Sequence, residues 1–264
     1  MNGLSVCSGI GGIELGIKLV CPSYRTVCYV EREAYNAACL VKRMEEGWLD
    51  KAPIWDDIAT FDGKPWRGKV DLVTAGFPCQ PFSCAGRRKR EADPRHIWPD
   101  IARIIGECEP EYVFLENVHI SAFRQPFDDL RRMGFTLAPP YAVTAAEMGA
   151  GHLRRRVFVL AYRSGSRRQQ ELRGTHGDTT QAVSRNASGQ PKREPDDETL
   201  SFANIREARR DPIGSAWWAS EPELERLVLR FPHRVERDRA LGNAVVPIMA
   251  AKAFSELMRG CFRA

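Results

Sequence analysis

The chain is expected to fold as an α/β protein on a mostly parallel sheet, and three observations lead there. Over the first 160 residues, short apolar runs of strand length alternate with longer stretches of helical periodicity. The short runs are continuously apolar, as in strands covered on both faces by helices. The residues with distinctive chemistry fall just after those runs, at the edge where open α/β sheets bind ligands.

The elements follow in order. Residues 4–7 read as a buried strand that ends in a glycine-rich turn, with a helix from about Ile13. Residues 27–30 form a second strand, followed by a helix through Met44. Residues 70–74 and 112–115 are further buried strands, separated by an amphipathic helix near 97–105. Residues 136–144 and 157–162 look like closing strands, and residues 244–258 have helical apolar periodicity.

Composition changes after position 162. Residues 163–198 contain only Leu172, Ala182, Val183 and Ala187 as apolar positions, with seven Arg or Lys against six Asp or Glu. Such a segment buries too little surface to offset its ordering entropy and is expected to be flexible. Packing signals resume at Trp217-Trp218 and Leu224. Three regions result: a main domain over 1–162, a short region over 163–239, and a C-terminal helix over 240–264 that returns to the main domain.

The global numbers exclude several classes. With 264 residues, 43% hydrophobic and 28% charged, the chain has the balance of a globular protein. No apolar run approaches the ~20 residues that span a bilayer. Met1-Asn2-Gly3-Leu4 lacks the basic start of a secretory signal. A cytoplasmic monomer is therefore expected. Eight cysteines, at 7, 21, 28, 39, 79, 84, 108 and 261, form no C-x-x-C pair, so reduced thiols and no metal site are expected. A net charge of +5 is compatible with a nucleic-acid partner, and the run Arg87-Arg88-Lys89-Arg90 concentrates it.

Ser8-Gly9-Ile10-Gly11-Gly12 is a turn that lets a ligand approach the backbone. Glu14 stands where a dinucleotide-binding fingerprint needs its third glycine, which argues against a pyrophosphate cofactor. Glu31, at the end of the second strand, is placed to accept hydrogen bonds from ribose hydroxyls. In Gly76-Phe77-Pro78-Cys79-Gln80-Pro81, prolines hold Cys79 on a loop at the sheet edge, where a thiolate can act as nucleophile. Glu116-Asn117-Val118 ends another strand at the same edge, and burial there would keep Glu116 neutral and able to donate a proton. Arg154 and Arg156 alternate on an extended segment and share a face suited to carbonyl and phosphate groups.

Taken in order, and closed by Gly242-Asn243-Ala244-Val245, this set resembles the DNA (cytosine-5) methyltransferase family, in particular its compact bacterial and phage members. The resemblance covers residues 1–162 and 234–258. It implies a Rossmann-like S-adenosyl-methionine-dependent methyltransferase fold with a small, reduced target-recognition lobe, acting on a short site in double-stranded DNA within restriction-modification. It implies that Cys79 adds to carbon 6 of a flipped-out cytosine while Glu116 protonates ring nitrogen 3, with Arg156 and Arg154 on the base carbonyl and nearby backbone. Cofactor contacts are implied for Cys7, Ser8, Gly9, Gly11, Gly12, Glu31 (ribose), Asp57 and Ile58 (adenine), Pro78, Asn243 and Val245. Ser83 and residues 87–90 match the segment that closes over DNA.

The chain departs from the family at Ser5-Val6-Cys7, where Asp-Leu-Phe is usual, and at His152 in place of Gln. Ala138-Pro139-Pro140-Tyr141 superficially matches an adenine methyltransferase signature but lacks its acid or amide. The catalytic residues alone leave a transfer-RNA cytosine methyltransferase open. A catalytically inactive DNA-binding paralogue would be expected to have lost the cysteine or the acid.

Overall fold

A computed structural model describes residues 1–78, 97–151, 153–163 and 234–263. Its strands are β1 (Asn2–Val6), β2 (Arg25–Val30), β3 (Ile54–Trp55), β4 (Leu72–Gly76), β5 (Tyr112–Asn117), β6 (Thr136–Leu137), β7 (Tyr141–Thr144) and β8 (Arg155–Tyr162). Its helices are α1 (Gly12–Val20), α2 (Ala34–Glu45), α3 (Trp98–Cys108), α4 (Arg124–Arg132), α5 (Arg234–Asn243) and α6 (Pro247–Arg263).

All eight strands join one sheet in the order β3-β2-β1-β4-β5-β8-β6, with β7 also paired to β8. The pairs from β3 to β5 are parallel, and β8 runs antiparallel to β5, β6 and β7. Chain order reverses between β1 and β4, which opens a crevice at their C-terminal ends.

β5 is buried along its whole length, as a central strand covered on both faces must be. Its alternate residues feed two cores. Val113 and Leu115 face α3 and α4 with Val73, Ala75, Ile101, Ile104 and Leu130. Tyr112 and Phe114 face α1 and α6 with Ile13, Ile17, Phe158, Ala250 and Phe254. The buried positions of α3 (Trp98, Ile101, Ile104, Ile105, Cys108) recur at helical spacing and account for its formation.

α6 lies close against α1 because two glycines permit it. A Cβ at Gly12 would overlap the Val245 carbonyl oxygen, and one at Gly16 would overlap the Pro247 carbonyl and the Ala250 side chain. This contact brings the C-terminal segment beside the turn that follows β1.

Some expected elements differ. The single strand expected over 136–144 is two short strands, because Pro139 and Pro140 carry no N–H for the ladder. β3 is only two residues long and α4 is short and mostly charged, with Pro126 and Leu130 its buried positions, so neither stands out as an apolar run in the sequence. The strand expected at 70–74 runs from Leu72 to Gly76, and α6 begins at Pro247, after the separate helix α5.

Candidate active site

The turn after β1 carries the backbone conformations its glycines were expected to supply. Gly9 and Gly11 have φ of 54° and 80°, and Cys7 also adopts positive φ, at 52°. Space around Gly9 is open where a Cβ would sit, so a ligand can approach the bare backbone. Ser8 is buried and its hydroxyl donates to the Ser5 and Val30 carbonyls, tying the turn to β1 and β2. Burial pushes the Cys7 thiol up, and the nearby Glu31 charge adds to this, so Cys7 stays a neutral wall of the site.

Glu31 is buried at the end of β2. Its Oε2 accepts from the Gly9 N–H at 2.6 Å, and its Oε1 accepts from the Glu33 N–H at 2.8 Å and from Asn36 at 3.3 Å. Burial raises its pKa, and the Glu33 and Gly9 N–H groups oppose that rise. The carboxylate thus shapes the turn, and Oε2, with one donor, retains capacity for a further hydroxyl. β3 pairs with β2 so that Trp55 lies opposite Val30, and the Glu31 N–H donates to the Trp55 carbonyl at 2.9 Å. Asp57 and Ile58 therefore follow at the same edge. Asp57 caps a 3-10 turn through a 3.0 Å bond from the Ala59 N–H, while Ile58 packs against the core.

Glu116 stands at the tip of β5, opposite Gly76 of β4. A Cβ on Gly76 would lie 3.3 Å from Glu116 Oε2, so the glycine leaves the carboxyl room. Glu116 Oε1 is in ionic contact with Arg156 Nε at 2.8 Å, and both side chains are at most 10% exposed. No donor among the described residues is aligned on Oε1 for a hydrogen bond. Burial raises the Glu116 pKa to about 7, against the opposing pull of Arg156 and Arg154. Near neutral pH a substantial fraction is the protonated acid.

Arg154 is directed toward the C-terminal segment, where it donates to the carbonyls of Gly242, at 2.6 Å, and Ala244. It thereby ties the start of β8 to the chain around Asn243 and Val245. Asn243 is exposed, and Val245 is half-buried with its carbonyl over Gly12.

Phe77 and the exposed Pro78 carry the chain past β4 toward Cys79. Phe77 packs on Trp98 and Phe123, each ring pair 5.8 Å apart, and its carbonyl accepts from Asn117 Nδ2 at 2.9 Å. Cys79, Ser83, Arg87, Arg88, Lys89, Arg90 and His152 lie outside the described residues. Among the described residues there is no cluster of metal ligands and no helix long and apolar enough to cross a membrane.

A family model for C-5 cytosine-specific DNA methylase matches residues 1–224. The chain belongs to that family. The chain is 30% identical over 173 residues to the Type II methyltransferase M.NgoMIV of Neisseria gonorrhoeae, covering 61% of this chain and 51% of that protein. It is 27% identical over 188 residues to the Type II methyltransferase M.HpaII of Haemophilus parainfluenzae, covering 68% and 47%. The chain spans about half the length of the curated relatives it matches. The crystal structure of S. pombe Dnmt2 methyltransferase is similar with a TM-score of 0.61 and 18% identity, covering 98% of each chain. The described residues thus share the fold of that structure.

Several residues support the site in roles the sequence motifs did not assign. Asn117 holds the approach to Cys79. Arg43 of α2 donates to the Ile10 carbonyl and braces the glycine-rich turn. Arg103 of α3 reaches the Asp57–Ile58 turn. Only Asn117 had a sequence cue, its place beside Glu116. The two arginines act across 33 and 45 residues of chain.

Proposed function

We propose that the chain is a DNA (cytosine-5) methyltransferase that uses S-adenosyl-methionine and forms a covalent adduct through Cys79. The observation that carries this reading is the buried Glu116–Arg156 pair at the tip of β5, with a carboxyl held near neutral pKa. It stands beside the strand that leads to Cys79.

The open backbone at Gly9, the Glu31 carboxylate and the Asp57–Ile58 turn fit the cofactor's polar and adenosine parts. Cys7, Ser8, Gly11, Gly12, Pro78, Asn243 and Val245 would complete that cradle. When bound, S-adenosyl-methionine supplies an electrophilic methyl group. Cys79 as thiolate adds to carbon 6 of the cytosine, and Glu116 delivers its proton to ring nitrogen 3. That addition makes carbon 5 nucleophilic. Carbon 5 would take the methyl with S-adenosyl-homocysteine leaving; loss of the carbon 5 proton to water then expels the Cys79 thiolate from carbon 6, and return of the ring nitrogen 3 proton to Glu116 restores the base. Arg156 holds the Glu116 carboxyl in place and would meet the base carbonyl. Arg154 secures the C-terminal segment beside it. Carbon 6 is inaccessible within the stack, so the target cytosine must leave the duplex.

Ser83 and residues 87–90 would then contact DNA, and residues 163–239 would select the site. The remaining features of this reading are a monomer in the cytoplasm of a bacterial or phage-infected cell, without metal. Transfer of radiolabelled methyl groups to duplex DNA, with transfer RNA as the competing substrate and Cys79→Ser as the control, tests it. Labelled 5-methylcytosine in DNA, lost in Cys79→Ser, is the expected result. Labelling of transfer RNA alone, or retained activity in Cys79→Ser, would overturn it.

A further inference from the structure

The turn that carries Asp57 and Ile58 is too short to hold itself. A 3-10 turn of three residues, Ile58–Thr60, is closed by one 3.4 Å backbone bond, from the Phe61 N–H to the Ile58 carbonyl, and its other last carbonyls need partners from outside the turn. Three carbonyls around it accept from one side chain. Arg103 donates from Nη2 to the Ile58 carbonyl at 2.8 Å and to the Ala59 carbonyl at 3.4 Å, and from Nη1 to the Phe61 carbonyl at 2.8 Å. Glu107, one helical turn on, pairs with Nη1 at 3.1 Å and aims the fork. The same carboxylate accepts from the Gly63 N–H at 2.8 Å, so α3 holds the stretch from Ile58 to Gly63, in the first half of the loop that joins β3 to β4. A Cβ at Gly63 would press on Glu107, so the approach is as close as a glycine allows.

We propose that Arg103 is the positioning residue for the adenine-binding edge of the cofactor site. This rests on the reading that Asp57 and Ile58 contact the adenine. A planar fork spreads its donors over separate nitrogens and so serves carbonyls that stand apart, whereas the three donors of a lysine ammonium all leave from one atom. Arg103 touches neither the cofactor nor the base in this scheme. It sets where the Asp57 carboxylate and the Ile58 side chain stand, and so governs cofactor affinity and discrimination more than the chemical step.

The test uses the full chain and two probes, S-adenosyl-homocysteine and S-inosyl-homocysteine, which differ in the group at purine carbon 6. Titration calorimetry gives both affinities, and steady-state kinetics give KM and kcat. Arg103→Lys is expected to weaken S-adenosyl-homocysteine binding and raise the KM for the methyl donor by on the order of tenfold. The preference for the adenosyl over the inosyl compound should shrink, with kcat nearly unchanged. Unchanged affinity and preference in Arg103→Lys, beside a wild type that binds, would overturn the proposal. A wild type that binds neither probe would instead refute the cofactor reading. Should Arg103→Lys not fold, Glu107→Gln carries the test: a few-fold weaker binding with reduced preference supports the proposal, and wild-type binding overturns it.

Discussion

Replacing Glu116 by glutamine tests the central acid twice, through stability and through rate. The side chain is 7% exposed, so solvent screens it little. Its pKa rises from an ordinary 4.5 to about 7, chiefly through burial. A carboxyl raised in the folded state favours folding below about 4.5, and that contribution is lost as pH rises through about 7. At about 1.4 kcal/mol per pH unit, the loss amounts to roughly 3 kcal/mol. Urea unfolding of wild type and Glu116→Gln across this range isolates it, because the other titrations cancel in the difference. The stability of wild type relative to the variant should fall by that amount between pH 4.5 and just above 7, then level off. In single-turnover methyl transfer the variant should be ~100- to 10,000-fold slower. Wild-type rate should pass through a maximum with pH, since a protonated Glu116 and an ionised Cys79 are both required. The two limbs belong to the pair. The variant should lose the descending limb and keep the rise from thiol ionisation. A pH-independent stability difference, or a variant with a wild-type rate, would refute the assignment of Glu116 as a buried, functional acid.

Other outcomes follow from the same geometry. Gly12→Ala and Gly16→Ala each push a methyl into the C-terminal segment and should cost ~1–3 kcal/mol by thermal melting. Gly106→Ala in α3 has open space around it and should stabilise by up to ~1 kcal/mol. Glu14 is 1% exposed, with one oxygen bonded by Thr74 at 2.7 Å, the other lacking a hydrogen bond, and its pKa raised by burial. Its charged form opposes folding, so Glu14→Gln should gain stability over wild type as pH rises above 4.5, measured by the same unfolding series. Changing residues 87–90 to alanine should weaken DNA binding on all sequences and flatten the salt slope by up to ~0.9 for each phosphate left unneutralised, read by fluorescence anisotropy.

Much of the site was legible in the sequence because its parts are local. A glycine-rich turn directly follows β1, Glu31 directly follows β2, and Glu116 closes β5, so strand periodicity alone placed them on one edge. The distinctive residue order then pointed to the family. Burial of Glu14 was not legible, since an isolated glutamate in a helix reads as solvent-facing until the sheet is laid against it.

The tertiary structure decided the rest. Arg154 shares a strand face with Arg156 by spacing, yet its guanidinium turns to Gly242 and Ala244, because α6 packed on two glycines of α1 brings those carbonyls within reach. Arg103 is an ordinary charged position on an amphipathic helix until the crossover places three loop carbonyls against it, 42 to 45 residues earlier in the chain. The near-neutral carboxyl of Glu116 likewise depends on how deeply two antiparallel strands bury it beside Arg156. Sequence periodicity reports which face of an element is apolar. Which polar groups meet, and at what energetic cost, depends on how separate elements pack, and local periodicity does not encode that.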